Sequence, residues 1–316
     1  APFVVNKDGI TTVKYRSTDK AGNIETAKSQ DVKINLTGIV GYWKLNNDGK
    51  DSSLMGNDLT SVNGATFDID AKIGSHSAKF NGSNTYLRRP SGNALPLGNS
   101  PRTFMAWIKP FSYPDAGYNG IFAYGQGCTG KGSLLSMRND GRISMAFWCN
   151  DAHQTTSSQA VLNQWNHVVF TYDGGTTIKF YMNGQLTQQT SVPYVPDTVD
   201  GPVRIGSTDD PGRVFNGLID EVIIYNRALT EDEIKAHYDA AQVQPPTVNP
   251  VTSPTSTKTI TLSGTKPAAT AIMVNGTQVY ALDELTTWQG TYTLNSGSNT
   301  LSVTAMDSKG YQSAAV

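Results

Sequence analysis

The sequence predicts an all-β protein in which one large β-sandwich or barrel is flanked by smaller β-rich segments. Between residues 38 and 241, short alternating runs are separated by Gly, Asn, Asp and Ser turns, a pattern typical of all-β sandwiches and barrels. Only residues 230–238 have the spacing of a helix. Pro245 and Pro246 can neither continue that helix nor lie inside a sheet, so residues 242–248 are predicted to be a linker.

The N-terminal segment, residues 1–36, is predicted to contain three strands. They lie at residues 2–5, 11–16 and 26–34, with a turn at residues 19–23. This segment is too short to close a sandwich alone. Its strand edges would be exposed unless another segment pairs with them.

The two cysteines flank a predicted hairpin in the central segment. Strands at residues 133–138 and 142–148 are joined by a turn at 139–141, with Cys128 before them and Cys149 after them. Folding this hairpin places the two sulfurs near its open end. We expect a disulfide, which contributes about 3 kcal/mol in the chain-entropy model and indicates an oxidising compartment. The alternative is two unrelated buried thiols.

The single predicted helix begins with a capping box. Thr230 is followed three residues later by Glu233, and the apolar residues Ile234 and Tyr238 are four apart. Such a pattern predicts a short amphipathic helix that starts at a Thr N-cap.

The C-terminal segment, residues 249–316, is predicted to form a small β-sandwich. Its strands are expected at residues 258–262, 271–274, 277–281, 290–294 and 299–305. Asn275-Gly276, between two of these runs, is the sequence signal of a type I′ hairpin turn.

The two outer segments share a pattern. Residues 12–22 match residues 300–310, with Thr, Asp and Gly in register. Both copies resemble the penultimate strand and turn of bacterial immunoglobulin-like modules. The resemblance implies that residues 1–36 are the C-terminal part of such a module and residues 249–316 a more complete one. We therefore expect a longer string of modules in which this chain starts inside one.

Composition excludes several classes of function. The net charge is −1 and 16% of the residues are charged, so there is no basic field to attract nucleic acid or an anionic membrane. No apolar run reaches the roughly 18 residues that a membrane-spanning helix needs. The chain starts at Ala1 without a Met or a signal-like segment, which indicates a processed or excerpted piece.

Five motifs follow one another along residues 37–241. They lie at residues 41–45 with 51–58, 78–87, 104–110, 165–173 with 180–185, and 215–230. Together they resemble laminin G-like, concanavalin A-type lectin and glucanase domains. One departure is Leu54-Met55, where the family prefers Gly-Asn. The resemblance implies a central jelly-roll β-sandwich, and domains of this kind mostly bind rather than catalyse.

The resemblance also implies a structural calcium ion. In related jelly rolls an Asp on the last strand is a ligand, which here is Asp220, and early loops complete the shell. The corresponding donors are the turn at Gly82, with Asp51 or Asn57 as further ligands. Calcium accepts six to eight hard oxygen ligands in irregular geometry. The alternative is that Asp220 caps loop amides or pairs with Arg227.

Catalysis is not expected. Glycosidases of this fold carry an E-x-D-x-x-E strand, in which alternation places the carboxylates on one face, and the chain lacks this motif. Asp220 and Glu221 are adjacent, so on a regular strand they would point to opposite faces. The sequence therefore predicts a protein that is not an enzyme.

A candidate sugar site surrounds the cysteine hairpin, because sugars need aromatic platforms beside hydrogen-bonding side chains. The predicted ligand-binding residues are Tyr118, Tyr124, Trp148, Asp151 and His153, with Tyr113 and Asn150 nearby. A disulfide would hold the two loops rigid and lower the entropy lost on binding. The alternative is that these aromatic residues belong to the core, since alternation buries either Phe147 or Trp148.

The leading functional hypothesis is a secreted or cell-surface module that binds glycan. Its expected partners are a glycan or a cell-surface or matrix ligand and further modules of the same polypeptide, not nucleic acid and not a membrane. One alternative is a structural or protein-binding adhesin or stalk segment. Another is the accessory part of a glycoside hydrolase whose catalytic domain lies outside this chain.

Overall fold

The computed structural model describes most of the chain, and its elements are almost all strands. It describes residues 9–15, 28–34, 38–115, 117–127, 130–147, 154–192, 194–208, 210, 212–251, 255–308, 312–313 and 315–316. In chain order the elements are β1 Gly9–Tyr15, β2 Lys28–Ile34, β3 Ile39–Trp43, β4 Thr60–Val62, β5 Thr66–Asp68, β6 Ser77–Asn81, β7 Tyr86–Arg89, β8 Arg102–Pro110, β9 Tyr118–Gly125, β10 Gly132–Arg138, β11 Arg142–Ala146, β12 Gln154–Gln159, β13 Asn166–Tyr172, β14 Thr177–Met182, β15 Gln185–Ser191, β16 Val203–Ile205, β17 Asn216–Tyr225, α1 Glu231–Ala240, β18 Thr259–Thr265, β19 Thr270–Val274, β20 Thr277–Asp283, β21 Thr287–Thr293 and β22 Val303–Asp307.

Strands β3 to β17 form two antiparallel sheets that pack face to face. The seven-stranded sheet has the order β12-β11-β10-β9-β16-β7-β4. The eight-stranded sheet has the order β15-β14-β13-β8-β17-β6-β5, with β3 paired to β17 as its eighth strand. This arrangement confirms the predicted jelly-roll β-sandwich.

Aromatic side chains from both sheets fill the core of the sandwich. Phe104 of β8 meets Phe122 of β9 across the two sheets, with ring centroids 5.0 Å apart and an edge-to-face geometry. Phe170 of β13 lies 4.6 Å from Phe104 in the same geometry, which is favourable for aromatic pairs. Trp43 is also fully buried and donates its indole N–H to the Asn57 carbonyl, as expected of a packing residue.

The helix α1 covers the outer face of the eight-stranded sheet. Ile234 packs there in a second cluster with residues that include Met105, Val169 and Tyr181. The predicted capping box is confirmed, because the Thr230 hydroxyl accepts from the Glu233 N–H and the Glu233 carboxylate accepts from the Thr230 N–H.

The two hairpins predicted from turn sequences are present in the structure. The predicted cysteine-flanked hairpin corresponds to β10 and β11, which pair antiparallel. Asn275 and Gly276 join β19 to β20 with φ of +49° and +79°, the backbone of a type I′ turn. The strand predicted at residues 2–5 lies outside the described residues, whereas β1 and β2 pair as a two-stranded sheet.

Beyond residue 242, β18 pairs with β21, and β20, β19 and β22 form a three-stranded sheet. Their shared core contains Leu262, Ile272 and Trp288. Ser313 and Val316 also pair with β22, since the Ser313 N–H donates to the Ala305 carbonyl and Val316 and Val303 exchange hydrogen bonds. Of the helices in the described residues, none is long and apolar enough to cross a membrane.

Candidate functional site

The acidic pair in β17 lies at a β-bulge. Asp220 is opposite Trp107 and Ile223 is opposite Met105, so three steps along β17 span two steps along β8. One extra residue is therefore inserted into β17. Glu221 has a φ of +50°, which is uncommon for a residue with a side chain.

This bulge overturns the expectation that Asp220 and Glu221 point to opposite faces. Ile219 and Val222, on either side of the pair, both belong to the inner core. Asp220 and Glu221 instead contact groups on the outer side of the sheet. Strand alternation failed here because the inserted residue shifts the side-chain pattern by one position.

Asp220 caps a loop. Its Oδ2 accepts hydrogen bonds from the backbone N–H of Lys72 at 2.9 Å and of Ile73 at 3.0 Å. Its Oδ1 accepts from the Glu221 N–H at 2.9 Å. These contacts match the loop-capping alternative, whereas Arg227 pairs with Glu233. Burial, with Glu221 alongside, raises the pKa of Asp220 to about 8.

Glu221 is buried beside Tyr42. The Tyr42 hydroxyl donates a short hydrogen bond to Glu221 Oε2. Burial raises the pKa of Glu221 to about 7, although the Tyr42 bond and the nearby Lys44 ammonium oppose the shift. The bulge thus holds two carboxyl groups with raised pKa values in one buried place.

Asp51 and Asn57 organise the loop after β3. Asp51 Oδ1 accepts from the Tyr42 and Ser53 N–H groups, and its Oδ2 accepts from the Ser53 hydroxyl and the Asn57 N–H. The Asn57 amide group donates to the carbonyls of Val40 and Asn93. Donors therefore surround the Asp51 carboxylate, which leaves its oxygens poorly placed for a cation.

Two of the predicted calcium ligands, Gly82 and Asp220, lie far apart on the sheet. Gly82 directly follows β6, whose last residue, Asn81, is opposite Asn216 of β17. Asn216 is four residues before Asp220, which corresponds to about 13 Å along the strand. The described residues contain no group of three or more His, Cys, Asp or Glu side chains that could hold a metal ion. Calcium binding stays a prediction, and the contacts of Asp51 and Asp220 fit a loop-capping role.

The described residues of the predicted sugar site do not lie together. Tyr124 is 1% exposed, and its hydroxyl accepts from Arg102 and donates to the Pro96 carbonyl. It is therefore a core residue without a ring face for a ligand, because β9 turns it inward. Trp148, Asp151 and His153 lie outside the described residues, as do Asn150, Cys128 and Cys149 of the expected disulfide.

Tyr118 lies beside a polar cleft. Its hydroxyl is 3.5 Å from Asp210 Oδ2, and the Arg213 guanidinium lies 4.7 Å from its ring centroid. Tyr113, by contrast, donates its hydroxyl to the Ala160 carbonyl. Of the described aromatic residues in the predicted site, Tyr118 is the one that contacts a residue of this cleft, Asp210.

The cleft opens on the outer face of the seven-stranded sheet and has a volume of about 320 Å³. Arg204 lies between the core residues Val203 and Ile205, so alternation turns it outward. Tyr86 is partly buried and packs against the inner core, and it also lines the cleft. The cleft is lined by Asn63, Ser83, Asn84, Tyr86, Arg204, Ser207, Thr208, Asp210, Gly212 and Val214.

Sequence reasoning missed most of this cleft. Its residues come from β7, β16 and three loops that are far apart along the chain. Tyr86 lies in a recognised motif but was assigned no role. The available signal was the group of Asn, Ser, Thr and Asp residues in the loops at 83–84 and 207–210.

Part of the central segment matches a known protein family. Residues 81–235 match the family model for the concanavalin A-like lectin/glucanases superfamily, a laminin G domain model. Human adhesion G-protein coupled receptor D1 is 41% identical over 81 residues, which are 24% of this chain and 9% of that protein. The BEACH domain-containing protein B of Arabidopsis thaliana is 24% identical over 165 residues, which are 44% of this chain and 6% of that protein. The chain thus spans less than a tenth of either relative.

Solved structures share the fold. Domain 4 of AbnA, a GH43 extracellular arabinanase from Geobacillus stearothermophilus solved with arabinotriose, is 22% identical with a TM-score of 0.50, covering 62% of this chain and 96% of that one. The binding domain of Paraclostridial Mosquitocidal Protein 1 is 14% identical with a TM-score of 0.53, and the match covers 85% of this chain and 75% of that one. The botulinum neurotoxin serotype G binding domain is 13% identical with a TM-score of 0.52, and the match covers 84% of this chain and 72% of that one. At these identities the likeness is one of fold.

Proposed function

We propose that this chain is a non-catalytic carbohydrate-binding module whose sugar site is the cleft beside Tyr118. The observation that carries the proposal is the lining of that cleft. It combines the Tyr86 ring with amide, hydroxyl, carboxyl and guanidinium groups from β7, β16 and the adjoining loops. The match to a lectin-like family and the arabinotriose complex of AbnA domain 4 support it.

Each group in the cleft has a role that suits a sugar. A sugar ring has apolar C–H faces and a polar rim, and the Tyr86 side chain offers an apolar surface beside polar neighbours. The Asp210 carboxylate accepts hydrogen bonds from sugar hydroxyls, and the Asn63 and Asn84 amides can both donate and accept. Asp210 is already oriented, since its N–H donates to the Thr208 hydroxyl at 3.0 Å.

The test is isothermal titration of the chain with soluble oligosaccharides, starting with arabinotriose and continuing through a glycan array. We expect at least one oligosaccharide to bind, and Tyr86→Ala and Asp210→Asn to weaken its binding at least tenfold. Asp232→Asn is the matched control, because Asp232 is an exposed residue in the first turn of α1. Normal folding without binding to any sugar would overturn the proposal.

The proposed setting of this module is extracellular or at the cell surface. The predicted Cys128–Cys149 disulfide and the expected neighbouring immunoglobulin-like modules support that setting.

The proposed calcium ion has a direct test. Excess chelator should lower the melting temperature of the central sandwich if the ion is bound, and an unchanged transition would count against it.

An accessory role in a glycoside hydrolase is the second candidate. Domain 4 of the arabinanase AbnA has the same fold and is matched over 96% of its length. In that case the catalytic domain lies outside residues 1–316, and the chain alone should bind an arabinan without releasing reducing ends. Hydrolysis that disappears when one carboxylate is replaced would instead show an enzyme within this chain.

A further inference from the structure

A second cavity lies on the opposite side of the sandwich from the cleft. It has a volume of about 320 Å³ and is bounded by α1, the loop at residues 73–74 and the outer face of the eight-stranded sheet, with Gln312, Ser313 and Ala315 also contributing. Its floor includes the apolar side chains of Met105 and Ile223. This volume is at the lower end of those found for small-molecule sites.

The strongest sign of a ligand is His167, which lines this cavity. His167 is 1% exposed, and neither Nδ1 nor Nε2 has a hydrogen-bond partner. Leaving a buried polar group without a partner is unfavourable. The ring centroid of His167 lies 4.9 Å from that of Trp107 and 6.0 Å from that of Tyr238, and neither contact satisfies a ring nitrogen.

Other groups around the cavity also retain hydrogen-bonding capacity. Tyr42 uses one oxygen of Glu221, and among the described residues no bond involves the other oxygen. The Trp107 indole N–H makes no hydrogen bond within the described chain, unlike the indoles of Trp43 and Trp165. His237 bonds Tyr225 through Nε2. An apolar floor with several convergent polar groups is the usual form of a small-molecule site.

The charges favour an uncharged ligand. Burial lowers the pKa of His167 to about 3, so the imidazole is neutral and offers one donor and one acceptor. The Glu221 carboxyl already has the Tyr42 hydroxyl and the neighbouring Lys44. A hydroxyl group both donates and accepts, and it matches a neutral imidazole beside an indole N–H and a carboxyl oxygen.

We infer that this cavity, lined by His167, Trp107 and Glu221, is a second ligand site, separate from the proposed glycan cleft, for a small uncharged ligand with several hydroxyl groups and an apolar face. A free pentose or hexose has this chemistry and this size. The inference does not depend on the cleft, which lies on the other sheet.

The experiment follows the ring nitrogens of His167 by NMR in the full chain. L-arabinose, D-galactose, D-glucose and glycerol are each added up to about 100 mM, which detects millimolar dissociation constants. We expect at least one sugar to shift the His167 nitrogens in a saturable manner and to raise the melting temperature. Glycerol lacks a ring to cover Met105 and Ile223, so it should shift them far less.

Three variants decide the location. Ala240→Leu fills the cavity that Ala240 lines and should abolish the sugar-induced shift. Ala236→Leu, on the same helix but not on the cavity wall, should leave the shift intact. Asp210→Asn should leave it intact as well, which separates this site from the cleft.

Three results would overturn the inference. One is that no sugar shifts the His167 nitrogens, which would mean that water satisfies the imidazole. The second is an equal and unsaturable shift with glycerol, which would indicate a solvent effect. The third is a shift that survives in Ala240→Leu.

Discussion

At the scale of single residues, buried ionisable groups of the central sandwich have neutral hydrogen-bonding partners. Asp220 is satisfied by three backbone N–H groups. Arg102 is fully buried, and its guanidinium donates to the hydroxyls of Tyr124, Ser133 and Thr198 and to the carbonyls of Gly98 and Ser100. Such partners compensate for the lost hydration of a buried polar or charged group.

Replacing Arg102 should therefore destabilise the central sandwich strongly. Arg102→Met leaves three buried hydroxyls and two carbonyls without their donor, so we expect a loss of about 3 kcal/mol or more in the free energy of unfolding. Denaturant unfolding measures it. Arg142→Met is the control, because Arg142 is exposed and should change stability by less than about 0.5 kcal/mol. A similar small change in Arg102→Met would contradict the role described for this network.

The acidic pair predicts how stability depends on pH. The pKa values of Asp220 and Glu221 are raised to about 8 and about 7, so the folded state holds more protons than the unfolded state between about pH 4 and 8. Stability is then lost as the pH rises through these values. His167 acts in the opposite direction below about pH 6.5, because its pKa is lowered and the unfolded chain takes up the proton.

Between about pH 6.5 and 8.5 the carboxyl groups therefore dominate. Calorimetry should show a loss of stability on the order of 2 kcal/mol across this range. The double variant Asp220→Asn, Glu221→Gln should lose most of that slope. Equal slopes in the two proteins would show that the pair does not titrate there.

At the scale of elements, two short features position the outer face of the eight-stranded sheet. The bulge in β17 turns Asp220 and Glu221 outward. The helix α1 covers that face and brings Tyr238 against Trp107, with the rings stacked at 5.6 Å. Both features come from local backbone conformation, yet they determine what lies between the helix and the sheet.

The N-cap of α1 should contribute measurably to its stability. Thr230→Ala removes the hydroxyl that accepts from the Glu233 N–H, so we expect a loss of about 1 kcal/mol and faster amide exchange at Ile234. Lys235→Ala is the control, since its pair with Asp239 is at the surface and contributes about 0.3–0.5 kcal/mol. Unchanged exchange in Thr230→Ala would show that packing alone holds the helix.

At the scale of the whole molecule, the chain contains separate hydrophobic cores. The clusters of the central sandwich use residues between Val40 and Ile234. The cluster of the C-terminal strands uses Leu262 to Ala305, with Val243 and Val248 packed against it. Two cores without shared residues are expected to fold as two units.

Fragments should therefore fold independently. We expect residues 38–241 and residues 243–316, expressed apart, to unfold cooperatively, and the full chain to show the sum of their calorimetric transitions. Residues 38–241 should also retain the proposed sugar binding. A fragment 38–241 that fails to fold would show that the two parts depend on each other, and it would move the predicted domain boundary.

The sequence alone determined the features that depend on neighbouring residues. The alternating runs, the capping box of Thr230 and Glu233 and the Asn275-Gly276 turn act within a few residues, so the all-β class, the helix and the hairpins could be predicted. The tertiary structure decided what depends on contacts between distant strands. It inserted a bulge at Glu221, buried Tyr124 beside Arg102, assembled the cleft around Tyr86 and Asp210, and left the buried nitrogens of His167 without partners beside a cavity. Register and inter-strand packing set these positions, and neither can be inferred from local sequence.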